Sequence, residues 1–363
     1  MSESLDAIQE KLKTIDEQFK DGFVGKDRSG VDQGVLEGLL SRVKDLETAL
    51  EAAPEGDVTA MVKNLVGQRR QGFERELRLV KTAKEFGPGF DKFVIEGAAA
   101  NFVFDRYNRH FAGQSRDTRD LGLLRELVED LRGIRKRMTA LAGKKPPEAL
   151  AGDIDLVEKN IDRYVAEETE VKKAQVSGTP EEQADRYASL ANAQFALYQA
   201  HFAGQSRLTR RPAMLVRMID NLKRYRAGMF DLKNRGLSSQ GNVNNIGIVD
   251  QRLKAWDNEL AEIRKVRQGV PLADIMGSLG GSANDIFKKY REDYAGKDRQ
   301  TVDRAQLSTM IDQLDELRRQ MEELGRVEKN AMNEQNQKVV REYQSSWVRE
   351  HQLIGQAQTG QQR

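Results

Sequence analysis

The chain has 363 residues, no cysteine, 59 Lys and Arg against 57 Asp and Glu, and a formal net charge of +2. These figures exclude disulfides, thiolate metal sites and a cysteine nucleophile, and they exclude a bulk polycation or polyanion, so any electrostatic role must rest on uneven charge distribution. No apolar run approaches the about 18 residues of a membrane span, and the polar amphipathic start Met1-SESLDAIQEKLK has no leader character, so a cytoplasmic chain is expected.

A first helix is expected to end at the peptide GFVGKDR, Gly22–Arg28. A second begins after Gly30 and carries Leu36, Leu39, Leu40, Val43, Leu46 and Leu50, whose steps of 3, 1, 3, 3 and 4 trace one stripe of a helix about seven turns long. A third is heralded by MVKNL at Met61, after the loop AAPEGD at Ala52–Asp57, and FGPGF at Phe86–Phe90 breaks the chain.

The pattern then restarts three times. HFAGQSR stands at His110–Arg116 and again at His201–Arg207, and DYAGKDR at Asp293–Arg299. The anchor glycines Gly25, Gly113, Gly204 and Gly296 are 88, 91 and 92 residues apart, the signature of an array. Six residues before each glycine stands Phe19, Tyr107, Tyr198 or Tyr290, and two before it Phe23, Phe111, Phe202 or Tyr294. Aromatics four apart share a helix face, so each first helix aims two rings at a partner. The glycine suits the left-handed residue just past a helix end. Thr118, Thr209 and Thr301, with Gly30 beside Ser29 in the first copy, are expected to cap the second helix. The stripe recurs without gaps as Leu124 to Met138, Leu215 to Met229 and Leu307 to Met321. Third helices are heralded by VEKNI at Val157, VDQRL at Val249 and VEKNA at Val327. Breakers follow at SGTP, Ser177–Pro180, and MGSLGGS, Met276–Ser282, with variable loops LAGKKPPE at Leu141–Glu148 and NRGLSSQGNVNN at Asn234–Asn245.

The expected fold is all-α: four tandem three-helix repeats of about 90 residues, elongated, either a string of bundles or an α-solenoid. The expected boundaries are 1–87, 88–178, 179–280 and 281–354, with 355–363 a disordered tail.

Arg28, Arg116, Arg207 and Arg299 each lie three residues after the anchor glycine. With those glycines they form the expected repeat hinge. The guanidinium either bonds the preceding helix's last carbonyls or clamps a carboxylate on a neighbouring helix; four equivalent anion sites are the alternative. His110 and His201 occupy a slot held elsewhere by Gly22 and Asp293, so they read as exposed helix-end residues rather than a shared catalytic group. His351 stands near the tail, and the Glu-x-x-His of a di-iron bundle is absent. The glycine run at Gly277–Ser282 lacks the ending of a phosphate loop and reads as a linker. Glu167, Glu168 and Glu170 read as a solvated face.

Charge is uneven. His201–Arg235 holds nine basic against two acidic residues and Asn101–Lys145 eleven against six, whereas the second helix of the last copy, Lys297–Arg326, holds six against seven. This basic middle supports a candidate surface for a polyanion or an acidic partner at Arg132, Arg135, Lys136, Arg210, Arg211, Arg217 and Arg224. The alternative is attraction between basic central units and the acidic outer units of a neighbouring molecule. No catalytic residue, metal site or cofactor is expected. The expected function is a non-enzymatic scaffold or adaptor that binds protein partners or copies of itself, with nucleic-acid binding as the second reading.

Overall fold

The computed structural model describes residues 4–54, 56–143 and 148–359. Among them the chain is all-α, twelve α-helices packed sequentially and antiparallel, with no strand. In chain order these are α1 (Leu5–Phe23), α2 (Gln33–Glu51), α3 (Asp57–Phe86), α4 (Phe90–Phe111), a 3-10 turn (Arg116–Thr118), α5 (Leu121–Ala142), α6 (Glu148–Gln175), α7 (Pro180–His201), α8 (Pro212–Asn234), α9 (Gln240–Gln268), α10 (Leu272–Asp293), α11 (Arg304–Val327) and α12 (Ala331–Gln358). No helix among the described residues is long and apolar enough to cross a membrane.

The chain forms two compact units, the first from Met1–Phe102 and Asp130–Asp162, the second from Val103–Glu129 and Arg163–Arg363. In the first, α1, α2 and α3 close on a core of Ile8, Leu12, Ile15, Leu36, Val43 and Val66. In the second, α7–α9 enclose one core around Met218, Tyr225 and Trp256, and α10–α12 enclose another around Leu279, Ile311 and Trp347. Every residue of the expected stripe is buried, from Leu36, Leu124, Leu215 and Leu307 to Leu50, Met138, Met229 and Met321. That burial is the main stabilising term of each bundle, at roughly 25 cal/mol per Å² of apolar surface removed from water.

The anchor glycines have φ of 79°, 76°, 74° and 73°, the left-handed conformation a side chain would strain. The helix starts lie two residues later than expected. Thr118, Thr209 and Thr301 turn their hydroxyls back onto the carbonyls of Ser115, Ser206 and Asp298 at 2.9, 3.1 and 3.0 Å, closing the preceding turn. The caps are Asp32, Asp120 and Asp303, whose carboxylates accept from Gly34, Leu123 and Gln306 N–H. Before α8 the equivalent residue is Arg211, which makes no cap; Pro212 at the first helical position removes one donor that would have needed it.

Four further expectations are corrected. MGSLGGS is no linker: Met276–Ser282 lies inside α10, and the break between α9 and α10 falls at Gly269–Pro271. Its glycines admit α12, since a Cβ on Gly280 would stand 2.5 Å from Asn336 Nδ2. VEKNA does not open a helix, because Val327 ends α11 and α12 starts at Ala331. The loop after α8 is only Arg235–Ser239, and α12 runs past Ile354 to Gln358 with Gly355 buried. Glu55 of AAPEGD, the stretch 144–147 of LAGKKPPE and residues 360–363 of the tail lie outside the described residues.

Glycines inside helices are of two kinds. A Cβ on Gly228 in α8 would stand 2.5 Å from the buried Tyr187 ring of α7, whereas Gly247 in α9 has no neighbour within 4 Å. Gly228→Ala should therefore destabilise by about 1–3 kcal/mol despite the better helix propensity. Gly247→Ala should stabilise by about 0.5–1 kcal/mol. Urea unfolding midpoints of the two variants check the difference in sign.

Candidate functional site

The recurrent arginines each grip a glutamate on a later helix, side-on, through the same atoms. Arg28 Nε and Nη2 donate to Glu76 at 2.5 and 3.0 Å, Arg116 to Glu167 at 3.0 and 3.1 Å, Arg207 to Glu259 at 3.2 and 2.9 Å, and Arg299 to Glu350 at 2.8 and 3.0 Å. This planar two-bond fit is what a guanidinium offers and an ammonium does not. Glu167 and Glu168 are thus not a solvated face: Glu168 accepts from Arg125 at 2.7 Å. Three residues before each clamped glutamate sits a ring stacked on the first-helix aromatic: Phe73 on Phe19, Tyr164 on Tyr107, Trp256 on Tyr198 and Trp347 on Tyr290, with centroids 4.8, 4.1, 5.1 and 4.3 Å apart. Burial pushes the Tyr164 phenol up to about 12. The aromatic-x-x-Glu pattern on α3, α6, α9 and α12 was present in the sequence, but the expectations keyed on apolar positions passed over it.

Arg119 and Arg210 add a second cation to two of these clamps. Arg119 donates to Glu167 at 2.5 Å and to the Gln114 carbonyl; Arg210 donates to Glu259 and to the Gln205 carbonyl. At the corresponding positions Val31 and Val302 stand instead.

A buried ionic hub occupies the second unit, where the acidic face of α11 meets α4, α5 and α8. Arg106 donates to Glu316 at 2.9 Å and to Asp315 at 3.4 Å. Glu126 accepts from Arg211 at 2.9 Å, and from Arg217 and Arg319. Arg211 also reaches Glu316 at 3.1 Å and Glu323 at 2.9 Å. Arg318 closes the far side on Asp315 at 2.6 Å and Glu322 at 2.8 Å. Burial alone would raise these carboxyls, but Arg318 and Arg106 draw Asp315 down to about 2, and Arg211 and Arg106 hold Glu316 well below its usual range. Burial in turn pulls Arg217 down, with Arg106 adding to the effect.

The basic middle and the acidic outer stretch are therefore partners within one molecule. Of the seven cations expected on a basic surface, Arg211 and Arg217 are buried in the hub and Arg210 is committed to Glu259. Arg224 packs over the Tyr225 ring and donates to Asn221. Arg132, Arg135 and Lys136 are exposed on α5, with Arg135 paired to Glu158 at 3.0 Å.

All three histidines line one cleft of about 1210 Å³ in the second unit. The expectation that His110 and His201 are exposed is corrected: His201 is 8 % exposed and His110 Nε2 stands 2.9 Å from Asp312 Oδ2, and His351, placed only near the tail by the sequence, is 7 % exposed. Arg109 joins them, donating to Asp312 at 2.7 Å and Asp105 at 2.6 Å. Burial lowers His201, and burial with Arg304 lowers His351 to about 4. Against its own burial, Arg109 and His110 hold Asp312 well down. No group of three or more His, Asp or Glu among the described residues is arranged to hold a metal ion.

No protein-family model, curated protein or solved structure matches this chain.

Glu126→Gln removes the carboxylate paired with the buried Arg217 and one of the partners of Arg211 and Arg319, and should cost roughly 3–5 kcal/mol in denaturant unfolding. Acid should act in two windows. His201 and His351 sit below the unfolded histidine value of about 6.5, so the unfolded chain binds more protons and stability falls as pH drops from about 6.5 towards 4. Asp312, Asp315 and Glu316 lie below their unfolded values, and their stabilisation is lost only below about pH 4. Urea midpoints at pH 7 and 5 should differ for the wild type and differ less for His351→Gln.

Proposed function

We propose that the chain is a tandem array of four three-helix units, with boundaries at the α3–α4, α6–α7 and α9–α10 turns, that acts as a non-catalytic scaffold for protein partners or for further copies of itself. The fourfold recurrence of one ring stack and one arginine–glutamate clamp, made with the same atoms, supports the repeat. The recurrent cations serve the packing of their own helices, so interaction falls to other surfaces.

The observation that carries the interaction reading is on α3. Val58, Met61 and Leu65, three and four residues apart, leave 58, 69 and 41 % of their surface to solvent while Val62 and Val66 face the core. An exposed apolar seam at this spacing suits a second helix laid along it. The polyanion reading draws on Arg132, Arg135 and Lys136, and it loses support from the burial of Arg211 and Arg217.

Light scattering after size exclusion, run over a concentration series at low and high salt, separates the two. A scaffold using the apolar seam should show assembly or partner binding that persists at high salt and is lost in the Met61→Glu/Leu65→Glu double variant. Binding that collapses with salt and ignores the double variant would favour the polyanion reading. A strict monomer with no partner and a measurable turnover would overturn both.

A further inference from the structure

The histidine cleft has a chemistry that neither the clamps nor the hub uses. Its three histidines come from α4, α7 and α12, and His110 is satisfied by Asp312. His201 and His351 are more than nine-tenths buried, line the cleft, and hydrogen-bond to no described residue. The cleft's cations are almost all neutralised: Arg109 by Asp105 and Asp312, Arg106 by Asp315 and Glu316, Arg217 by Glu126. Arg304 on α11 differs, being exposed and making no ion pair with a described residue. Its guanidinium lies against the α12 backbone, where a Cβ on Gly355 would stand 2.7 Å from Cζ, so the glycine leaves room for it. Ser308 and Gln352 supply neutral donors, and α7 contributes Ala193, Ala196, Leu197 and Ala200 as apolar lining.

An uncompensated guanidinium, two unpartnered imidazoles and an apolar wall in one cleft complement a ligand with a charged head and a greasy body. We infer that this cleft binds an amphipathic organic anion, its carboxylate or phosphate head at Arg304 and His351 and its apolar body along the α7 wall. The site is independent of the scaffold reading, since none of its residues lies on the α3 seam. Binding an anion beside His351, which already faces Arg109 and His110 of α4, His201 of α7, and Arg304 and Asp312 of α11, favours the imidazolium and should shift that histidine's titration upward.

Having only three histidines makes the test direct, because their ring proton resonances can be followed one by one in the full chain. Hexyl phosphate, hexanoate, inorganic phosphate and hexanol are titrated in turn. Hexyl phosphate or hexanoate should shift the His351 and His201 signals saturably, raise the His351 titration midpoint, and bind at least about tenfold more tightly than inorganic phosphate. Arg304→Gln, at an exposed position, should weaken binding about tenfold while leaving the His110 signal and the helical circular dichroism unchanged. The stronger of the two organic anions identifies the head group as phosphate or carboxylate. Hexanol binding as well as either anion, no saturable shift with either, or wild-type affinity in Arg304→Gln would overturn the proposal.

Discussion

The second unit depends on one arrangement, the burial of the acidic face of α11 against arginines from α4, α5's glutamate and the start of α8. A helix with Asp312, Asp315, Glu316, Arg318 and Arg319 all buried cannot be held by apolar packing alone. Its charges left water, and each had to find a counter-charge or hydrogen bond in the interior. Glu126 is the common acceptor, shared by Arg211, Arg217 and Arg319. The network explains an otherwise odd local choice: where α2, α5 and α11 begin with a capping aspartate, α8 begins at Arg211, a residue that gives up the cap to enter the hub.

A smaller device recurs along the chain. An aromatic pair brings the first and third helices of each bundle together, and one turn further on an arginine grips a glutamate across the same gap. The ring stack supplies apolar contact without orientation about the helix axis; the planar clamp supplies the orientation. Exposed pairs of this kind add little stability, so the role of the clamp is chiefly to fix register between helices. The inner arginines Arg119 and Arg210 extend it to a backbone carbonyl, which ties the turn after the anchor glycine to the same glutamate.

The cleft is a by-product of this geometry put to a separate use. Bringing the C-terminal ends of α4 and α7 beside the N-terminal half of α11 and the end of α12 gathers three histidines that are 91 and 150 residues apart in sequence. Nothing in the local sequence around any one of them marks it, and comparison among the repeated peptides pointed away from them, because the slot of His110 and His201 holds Gly22 and Asp293 elsewhere. A residue that varies between copies of a recurring peptide can still be placed by packing between helices far apart in sequence.

Much of the local structure was determined by the sequence alone. The helix ends at Gly25, Gly113, Gly204 and Gly296 follow from backbone sterics, and the buried stripes of α2, α5, α8 and α11 follow from the helical period; both are short-range rules that need no knowledge of what lies across the bundle. The glutamate partners of the recurrent arginines were half legible, since aromatic-x-x-Glu recurs on four helices, but only contact shows that the two patterns belong together. The charge asymmetry was visible too, yet its meaning was not: whether a basic helix faces solvent, another molecule or an acidic helix of its own chain depends on long-range packing. Tertiary structure alone decided that Arg211 and Arg217 are interior, that Gly277–Ser282 is helix, and that the histidines converge, because in each case the deciding neighbour lies on a separate helix, and in most far away along the chain.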